Sequence, residues 1–266
     1  MSLPVSLRRA LAVIVVVALA ILYIPLLLAV LNSFNASRTF GFPPTGFTLE
    51  WWQKAANSSG ALSSLGTSVL AGICAMLIAL VLGSMAAFAV QRFRFFGRST
   101  ISFLVVLPIT LPGIVTGIAL NASFLSVGAQ FGIATVIIGH ATFCIVIVFN
   151  NVQARLRRMG SSLEEASADL GANGWQTFWM VTFPSIRGAL VAGALLAFAL
   201  SFDEIVVTTF TAGPDVQTLP LWIFANLFRP NQAPVVNVVA AVLIVVAIIP
   251  VWVAQRLSRD SLSSRV

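Results

Sequence analysis

Charged residues are scarce in this sequence. Only 9% of its 266 residues are Asp, Glu, Lys or Arg, whereas 59% are hydrophobic, and the mean hydropathy is +1.00. A water-soluble domain carries about a quarter charged residues, so this composition excludes an ordinary soluble protein. The apolar residues fall in blocks long enough to cross a bilayer, which takes about 20 residues of helix. The composition therefore predicts an all-α, polytopic protein embedded in a lipid bilayer.

Reactive residue types are scarce too. The chain has one histidine, His140, and two cysteines, Cys74 and Cys144, which lie inside apolar segments and are expected to be buried small hydrophobes rather than a disulfide. No stretch has the phosphate-binding form G-x-x-x-x-G-K-[ST]. No Ser/His or metal-ligand cluster stands out either, which disfavours an intramembrane enzyme. We therefore expect no catalytic residue, no metal site and no cofactor in this chain, and a hydrogen-bonded structural role for His140.

Six apolar segments predict six transmembrane helices, at about 11–31, 62–90, 101–124, 131–150, 188–210 and 235–254. The first is too long for the core of a signal peptide, so we expect it to be retained. The loops between these segments divide the fifteen Lys and Arg residues unequally. Three lie on one side: Arg38, Lys54 and Arg229. Twelve lie on the other: Arg8, Arg9, Arg92, Arg94, Arg98, Arg155, Arg157, Arg158, Arg187, Arg256, Arg259 and Arg265.

This bias is a topology signal. Positive loops stay in the cytoplasm, so an even number of spans places both termini there. The same signal accounts for the net charge of +7, and we expect no nucleic-acid partner. The two outer loops, 32–60 and 211–234, are rich in aromatic residues and proline. Within them, Thr48–Ala56 and Leu219–Phe228 are expected to form short helices at the outer surface.

The inner loop 151–187 contains a short predicted helix that ends in glycine. Ser162 and Glu165 have the spacing of a capping box, and Gly171 stands where a helix would stop. A helix of about two turns is marginal alone in water, so a partner must hold it. Its small residues permit close packing in a groove of that partner. An ordinary loop that packs on the chain's own helix ends is the alternative.

The same loop resembles a known motif. From Glu165 the sequence reads Glu-Ala-Ser-Ala-Asp-Leu-Gly, and Phe183-Pro184 follows. This resembles the EAA loop of binding-protein-dependent ABC importer permeases, which has the form E-A-A, three residues, G, nine residues, I, one residue, L-P. The residues that carry the resemblance are Glu165, Ala166, Ser167, Asp169, Gly171 and Pro184. Ser167 departs from the second Ala of the motif, and Val181 and Phe183 replace its Ile and Leu.

The resemblance implies an architecture and partners. It implies a type I ABC importer permease fold, with residues 1–266 as a single transmembrane domain and 151–187 as its cytoplasmic coupling loop. In the family this loop forms a coupling helix that seats in a groove of a separate ATPase. The implied partners are a nucleotide-binding ATPase dimer that binds ATP and Mg, a second homologous permease, and a periplasmic solute-binding protein. The implied location is the bacterial inner membrane, as a multi-pass protein.

The whole chain is similar to the second permease subunit of spermidine/putrescine importers, and the matching stretches include 33–35, 140–144, 200–204 and 218–221. That resemblance implies that Asp203, Glu204, Ser201 and Trp51 lie on the route of the solute. Acidic groups at membrane depth usually face a bundle interior or a pathway, and carboxylates with an aromatic face suit a flexible polycation. The alternative is an acidic pair solvated at the outer interface.

The sequence leaves alternatives for the solute, for the source of energy and for the role of one glycine pair. Many polyamine permeases have an acidic residue after the proline of the third span, whereas this chain reads Leu111-Pro-Gly113, so 4-aminobutyrate or another amine competes with a polyamine as the solute. A self-sufficient, ion-coupled transporter or channel, with Asp203 and Glu204 as ion sites, is the alternative function. Finally, Gly113 and Gly117 have the small-xxx-small spacing of close helix packing, either within the bundle or against a second permease.

Overall fold

The computed structural model describes residues 4–229 and 231–247. Within these ranges the chain is helical and forms no strand, apart from an isolated bridge between Asn35 and Phe47. The helices are α1 Val5–Asn32, α2 Glu50–Ala56, α3 Ser59–Arg92, α4 Arg98–Thr110, α5 Gly113–Ser126, α6 Ile133–Met159, α7 Ser162–Asp169, α8 Gly174–Thr177, α9 Phe183–Phe202, α10 Val206–Thr211, α11 Leu219–Asn226 and α12 Ala233–Ala247. A π-helical turn, Phe178–Thr182, joins α8 to α9.

The prediction of a helical, multi-pass membrane protein is confirmed. In the described part of the chain, four helical stretches are long and apolar enough to cross a membrane, and the bent pair α4–α5 raises the number to five. The four stretches are α1, α3, α6 and the continuous segment Gly174–Phe202. The predicted sixth span, 235–254, extends beyond the described residues, and Arg256, Arg259 and Arg265 lie outside them. The count of six and the cytoplasmic termini stay predictions. The two short helices predicted within 48–56 and 219–228 are present, as α2 and α11, and their position at the outer surface stays a prediction.

The third predicted span is not one helix. The structure divides 101–124 into α4 and α5, which meet at an angle of 108°. Leu111 is extended, with φ −81° and ψ 146°. Pro112 explains this, because a proline lacks the N–H for a helical hydrogen bond and pushes the preceding residue out of the helical region.

The fourth and fifth predicted spans also have the wrong limits. Helix α6 continues to Met159, because Val152 and Leu156 extend its buried face beyond the apolar segment. Residues 151–159 of the predicted loop are therefore helical. The fifth span begins at Gly174 and ends at Phe202, and the backbone leaves the helix before α10 begins. Hydropathy reports where a segment is apolar, and it misses helix that continues into polar sequence.

Two compact units make up the described chain, and residues 63–222 form the larger one. Helix α6 provides the largest share of its core, with Val148, Phe149, Val152 and Leu156 fully buried. Alanines of α3 (Ala75, Ala79, Ala87) and of α9 (Ala197) pack against this face. Small residues let membrane helices approach closely, which gains packing energy where lipid supplies no hydrophobic drive.

The smaller unit combines the residues up to 62 with those from 223 onward. Two buried asparagines organise its loop after α1. Asn35 Oδ1 accepts hydrogen bonds from the backbone N–H groups of Ser37 and Thr45, at 3.1 and 3.2 Å. Asn32 Oδ1 accepts from the Gly41 N–H at 3.0 Å. These side chains satisfy backbone groups that a loop cannot pair by itself.

Packing at Gly213 gives a stability prediction. A Cβ atom at this position would lie 2.3 Å from the carbonyl oxygen of Phe131 and 2.8 Å from its carbonyl carbon, and backbone atoms cannot rotate away. We expect Gly213→Ala to destabilise the fold by about 1–3 kcal/mol. Thermal unfolding of the detergent-solubilised chain measures this change. Gly41→Ala is the control, because nothing lies within 4 Å of a Cβ there. Equal midpoints for the two variants would contradict the packing argument.

Candidate functional site: the coupling helix and the acidic elbow

Helix α7 contains the motif that begins at Glu165. It ends in a Schellman arrangement, in which Gly171 N donates to Ala168 O at 2.9 Å and Ala172 N donates to Ser167 O at 3.1 Å. Gly171 has φ +84°, the left-handed conformation that glycine tolerates best. The predicted stop at Gly171 is confirmed. The predicted capping box is wrong, because Ser161 is the N-cap, Ser162 is already helical, and no side chain of these residues caps the helix.

Glu164 anchors α7 to α3 and to the π-helical turn before α9. Its carboxylate pairs with the Arg92 guanidinium: Nη2 donates a hydrogen bond to Oε1 at 3.0 Å, and Nε lies 3.0 Å from Oε2 without hydrogen-bond geometry. The Thr182 hydroxyl donates to the same carboxylate at 2.9 Å. The two charged side chains are only 17% and 21% exposed, so the pair is partly shielded from water. A charge-assisted hydrogen bond of this kind is among the stronger polar interactions.

Sequence reasoning missed this anchor. Arg92 closes α3 and lies 72 residues before Glu164, so no local pattern links them. The one available signal was a second acid directly before Glu165. A further contact, between the Ser167 and Thr177 hydroxyls at 3.0 Å, ties α7 to α8. Contacts within the same chain therefore provide part of the support that this short helix needs.

The opposite side of α7 is open. Glu165, Ala166 and Asp169 are exposed, and Ser167 is half-buried. Two large apolar side chains that follow in the sequence are exposed as well, Leu170 at 90% and Trp175 at 72%. Exposed apolar surface of this kind is available to a partner. The remaining motif residue, Pro184, is the second residue of α9 and follows directly on the π-helical turn within the continuous segment Gly174–Phe202.

Asp203 and Glu204 lie in a break between two helices, not within a continuous fifth span. We call residues 203–205, between α9 and α10, the elbow. Glu204 Oε1 accepts a hydrogen bond from Val207 N at 2.8 Å and so caps α10. Asp203 is exposed, and among the described residues its carboxylate makes no hydrogen bond or ion pair. The two acids therefore differ: Glu204 stabilises the break, and Asp203 remains available.

Ser201 turns away from this open carboxylate. It is buried, and its hydroxyl lies 2.7 Å from His140 Nδ1. The other ring nitrogen, Nε2, lies 2.9 Å from the Thr208 hydroxyl. His140 is fully buried between these two partners. The hydrogen-bonded position expected for this histidine is confirmed.

Trp51 belongs to the smaller unit. Its indole is buried and donates from Nε1 to Asn35 O at 2.9 Å. The Lys54 ammonium lies 4.5 Å from the ring centroid, in cation–π contact. Lys54 also pairs with Glu50, and its hydrogen bond and positive charge lower the pKa of that carboxyl. The aromatic face proposed for a solute cation is therefore already covered by a lysine.

The glycines of α5 pack inside the larger unit. A Cβ on Gly117 would lie 2.6 Å from the Phe210 ring, and one on Gly113 would lie 3.6 Å from Val206. Asn121 donates from Nδ2 to Phe210 O at 2.7 Å along the same contact. Of the two alternatives for the small-xxx-small pattern, the structure shows packing against α10. The described residues contain no group of three or more His, Cys, Asp or Glu side chains that could hold a metal ion.

Solved structures share this fold. A bacterial ABC transporter for import of the acidic polysaccharide alginate superposes with a TM-score of 0.72, covering 98% of this chain and 99% of that one at 17% identity. The methionine ABC transporter MetNI, in an inward-facing form, gives a TM-score of 0.58 over 76% of this chain and 94% of its own, at 19% identity. At these identities the likeness concerns the fold alone.

Curated proteins are similar in sequence over nearly the whole chain. The spermidine/putrescine transport system permease protein PotC of Escherichia coli K12 is 34% identical, over 91% of this chain and 90% of its own. The putrescine transport system permease protein PotI of the same strain is 33% identical over 91% and 88%. PotC of Haemophilus influenzae is 33% identical over 92% and 95%. The family model for binding-protein-dependent transport system inner membrane components matches residues 79–262. The chain belongs to that family.

Proposed function

We propose that this chain is a permease subunit of an ATP-driven importer of polyamines in a bacterial inner membrane. The observation that carries the proposal is the state of α7, which Glu164 fixes to the chain while Glu165 and Ala166 stay open to a partner. The relatives named for spermidine/putrescine and putrescine transport support the choice of solute. Six spans with both termini in the cytoplasm place α7 on the inner face.

The energy comes from a separate ATPase dimer in this proposal. The sequence has no Walker A motif, so ATP and Mg bind on the partner. The open side of α7 and the exposed Leu170 and Trp175 seat in a groove of that partner. A second homologous permease completes the transmembrane route, and a periplasmic solute-binding protein docks on the outer loops 32–60 and 211–234.

Transport proceeds by alternating access. ATP closes the ATPase dimer and moves α7, and Glu164 passes the movement to α3 through Arg92 and to α9 through Thr182. The 20 residues of α9 form a rod of about 30 Å that ends at the elbow. A displacement at the coupling end therefore reaches the elbow, where the route opens to the outer side. Hydrolysis returns the complex to its inward-facing form.

The elbow supplies the chemistry for a cation. Asp203 offers a carboxylate that no described residue neutralises, and an ammonium group forms a charge-assisted hydrogen bond with it. A polyamine has ammonium groups alone, whereas 4-aminobutyrate carries a carboxylate that Asp203 would repel. The elbow thus favours a polyamine.

Competition for uptake tests the choice of solute. The complete importer is reconstituted in proteoliposomes with its ATPase sites on the side that receives ATP. Labelled putrescine and loaded binding protein are then added. We expect unlabelled spermidine and putrescine to suppress label uptake, and an equal concentration of 4-aminobutyrate to leave it unchanged. Suppression by 4-aminobutyrate with no effect of spermidine would contradict the polyamine assignment.

A further inference from the structure

A buried chain of hydrogen bonds crosses the elbow. Ser201 lies in the last turn of α9, and Thr208 lies in the first turn of α10. His140, on α6, contacts both hydroxyls, at 2.7 and 2.9 Å, and is fully buried. The imidazole therefore joins the two helices on either side of Asp203. Neither the family membership nor the predicted transport route requires this link.

Counting hydrogen atoms identifies the donor and the acceptor in each of these hydrogen bonds. The single hydroxyl hydrogen of Thr208 is donated to Glu204 O, at 2.8 Å. Thr208 Oγ1 can then only accept from His140, so the Nε2 atom carries the imidazole hydrogen. A charged imidazolium buried without an ionic partner would be costly, so Nδ1 is the unprotonated atom and accepts from Ser201. The bonds run from Ser201 through His140 and Thr208 to the Glu204 carbonyl.

Other contacts fix the far end of α10. Asn121 Nδ2 donates to Phe210 O at 2.7 Å, and the Thr135 hydroxyl lies 2.7 Å from Thr211 O and 2.8 Å from Gly132 O, which share its one hydrogen. Helix α10 has only six residues and one full turn, so its own hydrogen bonds hold it weakly. Its first turn is held by the Glu204 cap on Val207 N and by the contact of Thr208 with His140, which also bonds to Ser201 of α9. The His140 contact therefore helps to set how far α9 and α10 stand apart at the elbow.

We propose that His140 is a positioning residue for the solute: its bonds to Ser201 and Thr208 hold the elbow so that the Asp203 carboxylate meets the passing ammonium group. The inference rests on the proposed function, because it needs Asp203 on the route. It assigns to Ser201 an indirect role, through His140, in place of direct contact with the solute. It also explains a buried polar group that apolar packing alone would not need.

A hydroxyl deletion at the elbow tests this role. Thr208→Val keeps the shape of the side chain and removes its bonds to His140 and to Glu204 O, and we expect uptake at saturating loaded binding protein to fall about fivefold from loss of the His140 bond. Thr208→Ser restores the hydroxyl and should stay within about twofold of wild type. Thr209→Val is the matched control for the second bond, since the exposed Thr209 hydroxyl bonds to Ile205 O, four residues earlier, as the Thr208 hydroxyl does to Glu204 O. Ser201→Ala removes the bond from the α9 side and should match Thr208→Val.

Dependence on Asp203 separates positioning from general stability. In an Asp203→Asn background, Thr208→Val and Ser201→Ala should cause no further loss, because the carboxylate that they misplace is already gone. The same fractional loss with and without that carboxylate would overturn the inference, as would wild-type uptake in both hydroxyl variants. A wild-type complex that imports no putrescine would instead overturn the proposed function, and the inference with it.

The tautomer offers a second readout that does not depend on transport. His140 is the only histidine of the chain, so ¹⁵N-histidine labelling of the full chain in lipid nanodiscs gives a single imidazole. We expect the neutral form with hydrogen on Nε2, and Thr208→Val should disturb the Nε2 signal. A hydrogen on Nδ1 in the wild-type chain would overturn the hydrogen-bond direction on which the inference depends.

Discussion

Replacement of Asp203 by Asn is expected to lower putrescine uptake by the assembled importer about tenfold or more. Asn keeps the size of the side chain and removes the charge, and a charge-assisted hydrogen bond contributes about 1.5–3 kcal/mol. Because Asp203 has no partner among the described residues, the substitution leaves no group unsatisfied and should not disturb folding. The measurement is the initial rate of labelled putrescine uptake at fixed ATP and saturating loaded binding protein.

A neighbouring acid provides the control. Glu204→Gln keeps an oxygen that accepts from Val207 N, so its effect should be much smaller than that of Asp203→Asn. Recovery of the intact complex in equal amounts shows that assembly is unchanged. Normal uptake by Asp203→Asn would remove this carboxylate from the solute route.

Loss of the Arg92–Glu164 pair is expected to uncouple ATP hydrolysis from transport. Glu164→Ala removes the ion pair with Arg92, which includes one charge-assisted hydrogen bond, and the bond from Thr182, which together hold α7. Breaking a partly shielded pair costs about 2 kcal/mol, so we expect at least a roughly tenfold drop in putrescine imported per ATP hydrolysed. The measurement is uptake and phosphate release from the same proteoliposomes.

A charge swap makes the second prediction specific. Arg92→Glu combined with Glu164→Arg restores an ion pair across the same gap and should recover much of the lost coupling. Arg94→Ala is the matched control, since Arg94 is an exposed arginine only two residues from Arg92. If Glu164→Ala imports as much putrescine per ATP as wild type, α7 is held by other contacts and the transmission path through Arg92 is wrong.

Much of the fold could be predicted from the sequence, because membrane helices are selected for long apolar runs. The helical class, α2, α7 and α11 all follow from local patterns of hydropathy, turn residues and glycine. The bend at Leu111–Pro112 also has a local cause, since proline dictates it. Helix limits such as Met159 were less accessible, because packing on the core extends α6 beyond its apolar segment.

The site was harder to predict, because its geometry depends on distant contacts. No glycine or proline marks the elbow, which the Glu204 cap and the bonds of α10 to other helices maintain. The Arg92–Glu164 pair joins residues far apart in sequence. Ser201 was assigned to the solute route by resemblance, and the structure places its hydroxyl on His140. Sequence patterns identified the right segments, and tertiary contacts determine what each side chain in them does.

The source of energy is the most direct test of the account. The chain is reconstituted alone and, in parallel, as the complete importer with its ATPase, and both preparations receive labelled putrescine with and without ATP and with an imposed proton or sodium gradient. We predict accumulation only in the complete importer supplied with ATP, whatever the gradient. Gradient-driven accumulation by the chain alone, without ATP, would contradict the account and show a self-sufficient, ion-coupled transporter.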